Sequence, residues 1–432
     1  LNKPSALDIS SLYQIFRQYP SVQTDTRKLQ PGDLYFALKG ANFNGNQFAL
    51  QALEKGAAYA IVDEALALPH PQVIVVADVL STLQALALYH RQQLGIPVIA
   101  ITGSNGKTTT KELVHAVLSS HFKTYTTKGN LNNHIGVPLT LLSIQSDADI
   151  AVVEMGANHQ KEIESYCSYT APTHGIITNC GKAHLEGFGG IEGVRKGKGE
   201  LYDFLRSNNG TIFLFDDYDY LQQMSAGIPH VVRYGTASGL VQGQVAISEP
   251  FLEVSITEGL STNLVKTQLV GSYNLPNVLC ALTVGKHLGV PEEKIIAAIE
   301  SYTPSNSRSQ LVERGSNKII LDAYNANPSS VKLAIENFAK LHADNKIILL
   351  GGMMELGEES VAEHQAIADL IAQYSWAHVV LVGGDFSKVL HNFTYLHNSL
   401  EAKAWLQDLS PENSYLLIKG SRSMQMEKIL EP

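Results

Sequence analysis

Short apolar runs, each closed by glycine or a polar turn, alternate along this chain with longer stretches in which apolar residues recur every three or four positions. The first pattern marks buried strands and the second amphipathic helices. Near the start, strands are expected at 34–38, 57–62 and 73–76. A helix carrying Phe48, Leu50, Ala52 and Leu53 stops at Gly56, and a second over 80–94 stops at Gly95 before Pro97. The next strand candidates are 98–101, 150–153, 175–178 and 211–215, several of them separated by helical stretches. That is the alternation of a doubly wound parallel sheet. From Val231 to Val270 the strands shorten, as at 241–245 and 252–256, and read as an antiparallel extension. Helices follow at 275–288 and 291–301, the latter with Pro291 in its first turn. Beyond the polar segment 302–307, strands at 318–321, 347–350, 379–382 and 415–418 alternate with helices such as 329–341 and 360–374.

The expected fold class is therefore α/β in three domains. A small N-terminal α/β domain spans 1–94. A central domain with a phosphate-loop-type doubly wound sheet and an antiparallel extension spans 95–302. A C-terminal Rossmann-like α/β domain spans 303–432.

Composition narrows the class of partner. The 432 residues are 44% hydrophobic and 17% charged, the mix of a globular enzyme with ample core. A net charge of −9 leaves no basic excess for nucleic acid, though a single nucleotide needs only a local positive site. The cysteines, Cys167, Cys180 and Cys280, have no C-x-x-C spacing, so neither a disulfide framework nor a zinc site is expected, and a cytoplasmic location fits. No apolar run reaches the length of a membrane span. The opening residues L-N-K-P-S-A-L-D lack the apolar core of a signal peptide, and the missing initiator Met implies a processed or trimmed start.

The chemistry gathers at strand ends. After the strand at 98–101 comes T-G-S-N-G-K-T-T-T-K (102–111), then a helical pattern. Glycines let backbone N–H groups close on phosphate oxygens, Lys107 adds a charge, and the Thr108 hydroxyl can ligand Mg²⁺ at a helix N-terminus. The common pattern has its first glycine at the position of Ile101; here it stands at Gly103. The strand at 150–153 delivers Glu154, able to hold Mg²⁺ or to cap a helix. The strand at 175–178 leads to N-C-G-K-A-H-L-E-G-F-G (179–189), in which His184 can ligand a metal, orient a phosphate or serve the core. Lys196 or Lys198, in G-V-R-K-G-K-G-E-L, faces either solvent or phosphate. Asn274 reads as a helix N-cap, and Asn277, one turn on, either reads an adenine edge or completes the cap. Asp322, Asn325 and Asn327, the turn Gly351–Gly357, and Lys419 to Arg422 repeat the polar, glycine-bearing strand end in the last domain. In the first domain Asp25-Thr26-Arg27 and F-A-L-K-G (36–40) do the same.

Together with T-K-G-N-L-N-N-H-I-G-V-P-L (127–139), V-E-M-G-A-N (153–158), D-A-Y-N-A-N-P (322–328), M-E-L-G (354–357) and K-G-S-R-S-M (419–424), these stretches resemble the Mur ligases, the ATP-dependent amide-forming enzymes of bacterial cell-wall precursor synthesis. The resemblance covers essentially the whole chain. There is no D-N-P-R string, which the member adding the third amino acid carries. Two departures stand out: Gly352 where the family often has Asp, and Tyr273 where it often has His.

The resemblance implies a ligase that uses ATP and Mg²⁺ to join D-Ala-D-Ala to UDP-MurNAc-tripeptide, acting as a monomer without nucleic acid or membrane span. It implies that Gly103, Ser104, Asn105, Gly106, Lys107, Thr108 and Thr109 hold the phosphates. Asn274 and Asn277 would lie at the adenine, and Arg308, Asp322 and Asn325 would reach the nucleotide from the last domain. Thr108, Glu154, His184 and a carbamylated Lys198 would serve the metal ions, with Lys107, Glu154, His184 and Lys198 as the catalytic set. Thr26, Arg27, Ala37, Leu38, Lys39, Gly40, Asn130, Asn132 and Asn133 would hold the UDP-linked substrate. A folate polyglutamate ligase, a phosphate-loop kinase, a nucleotide switch and a nucleotide-binding scaffold are the competing expectations.

Overall fold

The strand candidates nearest the N-terminus become a four-stranded parallel sheet. In the computed structural model, which describes residues 8–65, 67, 69–305 and 307–431, its strands are β1 (Val22–Gln23), β2 (Leu34–Phe36), β5 (Tyr59–Val62) and β6 (Val73–Val75), ordered β1-β2-β5-β6. A short antiparallel ribbon, β3 (Lys39–Gly40) and β4 (Phe43–Asn44), lies between β2 and β5 in the chain. The first seven residues and Asn306 of the expected linker fall outside the described residues.

The strand expected over 34–38 ends at Phe36. Leu38 N–H turns back to the Phe36 carbonyl at 2.9 Å, and Gly45 N–H reaches the Leu38 carbonyl at 2.9 Å. A Cβ on Gly45 would meet that carbonyl at 2.5 Å, so only glycine fits the turn. Leu29, Tyr35, Ala37, Ala49, Ala52, Ala60 and Val62 fill one face of this sheet. The helix Val79–Leu94 is capped by Asp78, whose carboxylate accepts from Ser81 N–H at 2.7 Å, and ends on Gly95 at φ 62°.

By its internal contacts the chain divides into two compact units. One holds the residues up to Ala100 with Phe122–Gly156 and Glu162–His174; the other holds Ile101–His121, Ala157–Lys161 and the chain from Gly175 on. The first contains the sheet just described and the neighbouring strands β8 (Thr124–Thr126) and β9 (Ile150–Glu154), which pair in parallel. Strand β7 (Val98–Thr102) is shared between the units and buried throughout, as a parallel strand covered on both faces must be.

In the second unit, the strands run β15-β14-β13-β12-β11-β10. They are β10 (His174–Ile177), β11 (Thr211–Phe215), β12 (His230–Gly235), β13 (Val241–Ile247), β14 (Glu253–Glu258) and β15 (Leu264–Lys266). The antiparallel extension is shorter than expected. β12 lies parallel to β11, and β13 parallel to β12; only β13, β14 and β15 pair antiparallel. The helix Leu275–His287 is buried nearly all round, because it lies against both Lys107–Ser119 and Glu292–Ser301. At Gly285 a Cβ would come within 2.5 Å of Val117, which fixes glycine at that crossing. Pro291 stands just before Glu292–Ser301 as its cap, not inside its first turn.

The last sheet has the order β16-β17-β21-β18-β19-β20. Its strands are β16 (Gln310–Arg314), β17 (Asn317–Asp322), β18 (Lys346–Gly351), β19 (His378–Val382), β20 (Thr394–Leu396) and β21 (Tyr415–Lys419). All pair in parallel except β16 with β17. One face packs Ile319, Leu321, Ile347, Leu349, Val380, Val382, Leu416 and Ile418 into one core. Burying each of these side chains contributes about 1.5–3 kcal/mol.

Candidate active site

The turn from β7 into the helix Lys107–Ser119 is held open by two glycines. Gly103 has φ 143° and Gly106 φ 79°, values side chains rarely adopt. A Cβ on Gly103 would meet Thr178 Oγ1 at 2.0 Å, and one on Gly106 would meet Asn277 Oδ1 at 2.8 Å. The segment after β10 clamps the loop. Ser104 N–H donates to the Asn179 carbonyl at 2.9 Å, Ser104 Oγ to the Gly181 carbonyl at 2.9 Å, and Asn105 N–H to Asn179 Oδ1 at 3.0 Å. Thr178 Oγ1 donates to the Asn105 carbonyl at 2.6 Å. The Lys107 ammonium is collared by the carbonyls of Gly103 at 2.7 Å and Ser104 at 3.3 Å. Thr108 is buried and Thr109 half-buried in the first helical turn.

Asn277 supports the loop from behind. Its Oδ1 accepts from Thr110 Oγ1 at 3.0 Å, and its Nδ2 donates to Asn274 Oδ1 at 2.9 Å. Asn274 in turn donates to the Val270 carbonyl at 2.9 Å and makes no side-chain cap to the helix it precedes. The expected cap is absent because the turn Ser272–Asn274 runs straight into the helix, so Asn274 is already helical.

In the other unit Glu154 ends β9 with its side chain 1% exposed. Its N–H donates to Thr127 Oγ1 at 2.9 Å, and its Oε1 accepts from Asn132 Nδ2 at 2.8 Å. A Cβ on Gly156 would come within 2.9 Å of the Asn132 amide, so this glycine lets Asn132 reach the carboxylate. Asn132, expected at the substrate, thus has Glu154 as a partner. Asn133 Oδ1 accepts from Ile135 and Gly136 N–H and closes the turn into Gly136–Leu142, while Asn130 offers its carbonyl to Asn132 N–H at 2.8 Å.

Lys198 lies on the helix Ile191–Ser207, 1% exposed, with Nζ donating to the Ala157 carbonyl at 2.9 Å and sitting 4.8 Å from the Phe188 ring centre. His184 Nδ1 is hydrogen-bonded to Glu355, and the neighbouring Lys182 pairs with Glu363. The His184 bond holds the Glu355 carboxyl below its usual range. Burial pushes the Cys180 thiol up to about 12, so it is no nucleophile at neutral pH. Among the described residues no three His, Cys, Asp or Glu side chains converge to hold a metal. A hard cation such as Mg²⁺ takes one or two carboxylates and substrate phosphates instead, and the Glu154 carboxylate and Thr108 hydroxyl are oxygen donors of that kind.

From the last sheet, Asp322 is fixed at both oxygens. Oδ1 accepts from Ser309 N–H at 3.2 Å and Oδ2 from Lys419 Nζ at 2.6 Å. Lys419, whose spacing singled it out only as part of a strand end, also donates to the Asn325 carbonyl at 3.1 Å. The Arg308 guanidinium stacks 3.5 Å from the Tyr324 ring centre. Asn327 Nδ2 donates to Asn105 Oδ1 at 2.7 Å, and Ser329 Oγ accepts from Lys182 N–H at 2.9 Å. Neither contact is visible in sequence, since each joins residues more than a hundred positions apart.

In the first sheet Arg27 is 87% exposed and forked onto Asp25 at 2.9 and 2.8 Å, which holds the Asp25 carboxyl well below its usual range. The Thr26 carbonyl accepts from Lys55 Nζ at 3.0 Å. Ala37 and Leu38 are buried, while Lys39 pairs with Asp63 and Glu64, both at 2.9 Å, and Gly40 lies under the Phe43 ring.

Family models match in succession along the chain. The Mur ligase family catalytic domain matches residues 18–102, the Mur ligase middle domain 101–285, and the Mur ligase glutamate ligase domain 307–422. The UDP-N-acetylmuramoyl-tripeptide–D-alanyl-D-alanine ligases of Bacillus subtilis and Escherichia coli are 33% and 35% identical to it, over 95% of this chain and 92% of each relative. The chain belongs to the Mur ligase family. MurF from Acinetobacter baumannii superposes with a TM-score of 0.86 at 30% identity, covering 95% of this Mur ligase and 92% of that chain. MurF from Thermotoga maritima, solved in complex with ADP, shares the fold at a TM-score of 0.85 and 24% identity, covering 95% and 96%.

Both departures from the Mur ligase pattern have a local reason. A Cβ on Gly352 would meet the Gly384 Cα at 2.7 Å, so no acid fits at 352 without moving that turn. Tyr273 is half-buried, desolvation raises its phenol, and its hydroxyl bonds Ser309 Oγ at 2.8 Å. It thereby links the start of Leu275–His287 to the residue that holds Asp322.

Proposed function

We propose that this Mur ligase joins D-Ala-D-Ala to UDP-MurNAc-tripeptide at the expense of ATP, through an acyl phosphate. The full-length likeness to ligases of that name carries the reading. A carboxylate is a poor acyl donor, so the tripeptide carboxylate first takes the γ-phosphoryl group. Both reactants are anionic, and the work of the site is to offset their repulsion and hold them in line. Lys107 supplies positive charge above a loop of backbone N–H groups, and the opening of Lys107–Ser119 adds its dipole. Bound Mg²⁺, held by Thr108 at the phosphates and, as a second ion, by Glu154 and His184 with the carbamylated Lys198, would neutralise charge on the transferring phosphoryl group.

Lys198 serves such a site as its carbamate. An ammonium repels metal ions, whereas the carbamate offers them two oxygens. Carbamylation needs a neutral amine, and burial disfavours the charged form of any amine. Asn132 orients Glu154. Asn274 and Asn277 brace the loop beneath the adenine, with Arg308, Asp322 and Asn325 on the nucleotide from the last domain. Thr26, Arg27 and the segment from Ala37 to Gly40 take the UDP end, and Asn130 and Asn133 the substrate nearer the reaction. The dipeptide amine then attacks the acyl phosphate and phosphate leaves. Water would hydrolyse that intermediate, so the last domain must cover it.

The domain boundaries 1–94, 95–302 and 303–432, a monomer and a cytoplasmic location complete the proposal. ADP release with UDP-MurNAc-tripeptide tests it, D-Ala-D-Ala being set against single amino acids. Release should require the tripeptide substrate and the dipeptide together. A stable phosphorylated product, or steady hydrolysis without either, overturns it.

A further inference from the structure

We infer that Glu355 is a positioning residue for His184, fixing which ring nitrogen presents its lone pair to the reacting centre. The inference rests on the ligase reading above, in which His184 serves a metal ion. The two residues sit on separate turns, His184 after β10 and Glu355 after β18. Nδ1 of His184 is hydrogen-bonded to Oε2 of Glu355. An ionised carboxylate can only accept, so the shared proton belongs to Nδ1. In the neutral imidazole Nε2 then keeps its lone pair, and no bond to it is formed by the described residues.

The two turns are shaped around this bond. His184 has φ 53° and Glu355 φ 61°, a region that non-glycine residues adopt uncommonly. Such strain at both partners of one hydrogen bond points to the side-chain pairing as the constraint. The Glu186 N–H reaches the Glu355 carbonyl at 3.4 Å. At Gly357 a Cβ would lie 3.3 Å from Glu186 Cβ, so glycine there admits the close approach. Lys182 holds the same region through its pair with Glu363 and its N–H to Ser329. Carboxylates behind ligating histidines set tautomer and basicity in this way. Because Glu355 arrives on the last sheet, His184 is set only while these turns are docked.

The test uses the full chain with ¹⁵N-labelled imidazoles, and Mn²⁺ with a non-hydrolysable ATP analogue as the probe. His184, assigned by its loss in His184→Ala, should show the Nδ1–H tautomer in the unaltered protein. Glu355→Ala should lose it, and Glu355→Gln, whose amide oxygen still accepts, should keep it. Mn²⁺ affinity by electron paramagnetic resonance should fall about 10-fold or more in Glu355→Ala and recover in Glu355→Gln. Adding Glu355→Ala to His184→Ala should cost nothing further, since both act through one ring. An Nε2–H tautomer in the unaltered protein overturns the inference, as do losses that add in the double variant. The unaltered spectrum decides even where Glu355→Ala fails to fold. If His184→Ala leaves Mn²⁺ affinity unchanged, the metal role of His184 falls and the inference with it. If His184→Ala weakens Mn²⁺ and Glu355→Ala does not, the inference alone falls.

Discussion

The collar of carbonyls around the Lys107 ammonium keeps its charge over the loop rather than in solvent. Lys107→Ala should therefore lower kcat about 100-fold or more, read as ADP release with both substrates, while thermal unfolding stays close to the unaltered protein. An unaffected rate would remove the phosphate-grip role. Lys198 is argued differently, from its burial against Phe188 and its hydrogen bond to the Ala157 carbonyl. Lys198→Ala should nearly abolish turnover, and short carboxylates added to the assay should restore part of it by supplying the missing anion. Full activity in that variant sinks the carbamate. Candidates such as Lys107, Glu154 and His184 were legible because they sit where a strand pattern ends. Asn132 on Glu154, Ser309 and Lys419 on Asp322, and Glu355 on His184 were not. Each depends on a contact across 13 to 171 positions, and spacing along a chain carries no record of such pairs.

Strands buried on both faces were the easiest elements to read, because an unbroken apolar run has few other fates. β7, β9, β11 and β18 fall within a residue or two of expectation. Direction was harder: alternation marks a strand with one wet face, and V-Q-G-Q-V at 241–245 has it, yet β13 pairs parallel with β12 on one side and antiparallel with β14 on the other. Short pieces such as β3 and β4 carry too few residues for any period. That ribbon brings Lys39 to Asp63, and the pairing yields a pH dependence. Burial alone would raise the Asp63 carboxyl, but hydrogen bonds from Lys39 and Asn46 outweigh it and leave it below its ordinary 3.8. A carboxylate depressed on folding stabilises the fold above its unfolded pKa, and that contribution disappears as pH falls through the folded value. Hydrogen-exchange protection of β5, corrected for intrinsic rates, should therefore begin to drop as pH falls below about 5 and go on dropping through the depressed folded value. Lys39→Met should flatten that drop, and an equal drop in both proteins would refute the assignment.

Three family models match in succession, at 18–102, 101–285 and 307–422, and the chain gathers into two compact units. Within the second unit, polar pairs join the residues of the last domain to those before it. Asn327 donates to Asn105 at 2.7 Å, Lys182 N–H to Ser329 at 2.9 Å, Ser272 N–H to Asn337 at 3.1 Å, and His342 N–H to Glu249 at 2.7 Å. Interfaces of this polar kind resemble transient ones, so relative motion is the default. Two non-glycine residues with left-handed backbone, Ser307 and Ser309, stand at the connection and can absorb the change. An acyl phosphate must be made in a closed site, yet substrates and products must pass. The same chain therefore has to spend part of each turnover undocked. Dyes on Asn208→Cys and Gln407→Cys would report this, since both positions are exposed and the native cysteines are buried. Single-molecule transfer in the free protein should show more than one distance. A non-hydrolysable ATP analogue with UDP-MurNAc-tripeptide should collapse these to one, and Asn327→Ala with Lys182→Ala, which removes the ammonium paired with Glu363, should broaden it again. One unchanging distance in all of these states would mean that docking is permanent and that substrates reach the site by a route needing no hinge.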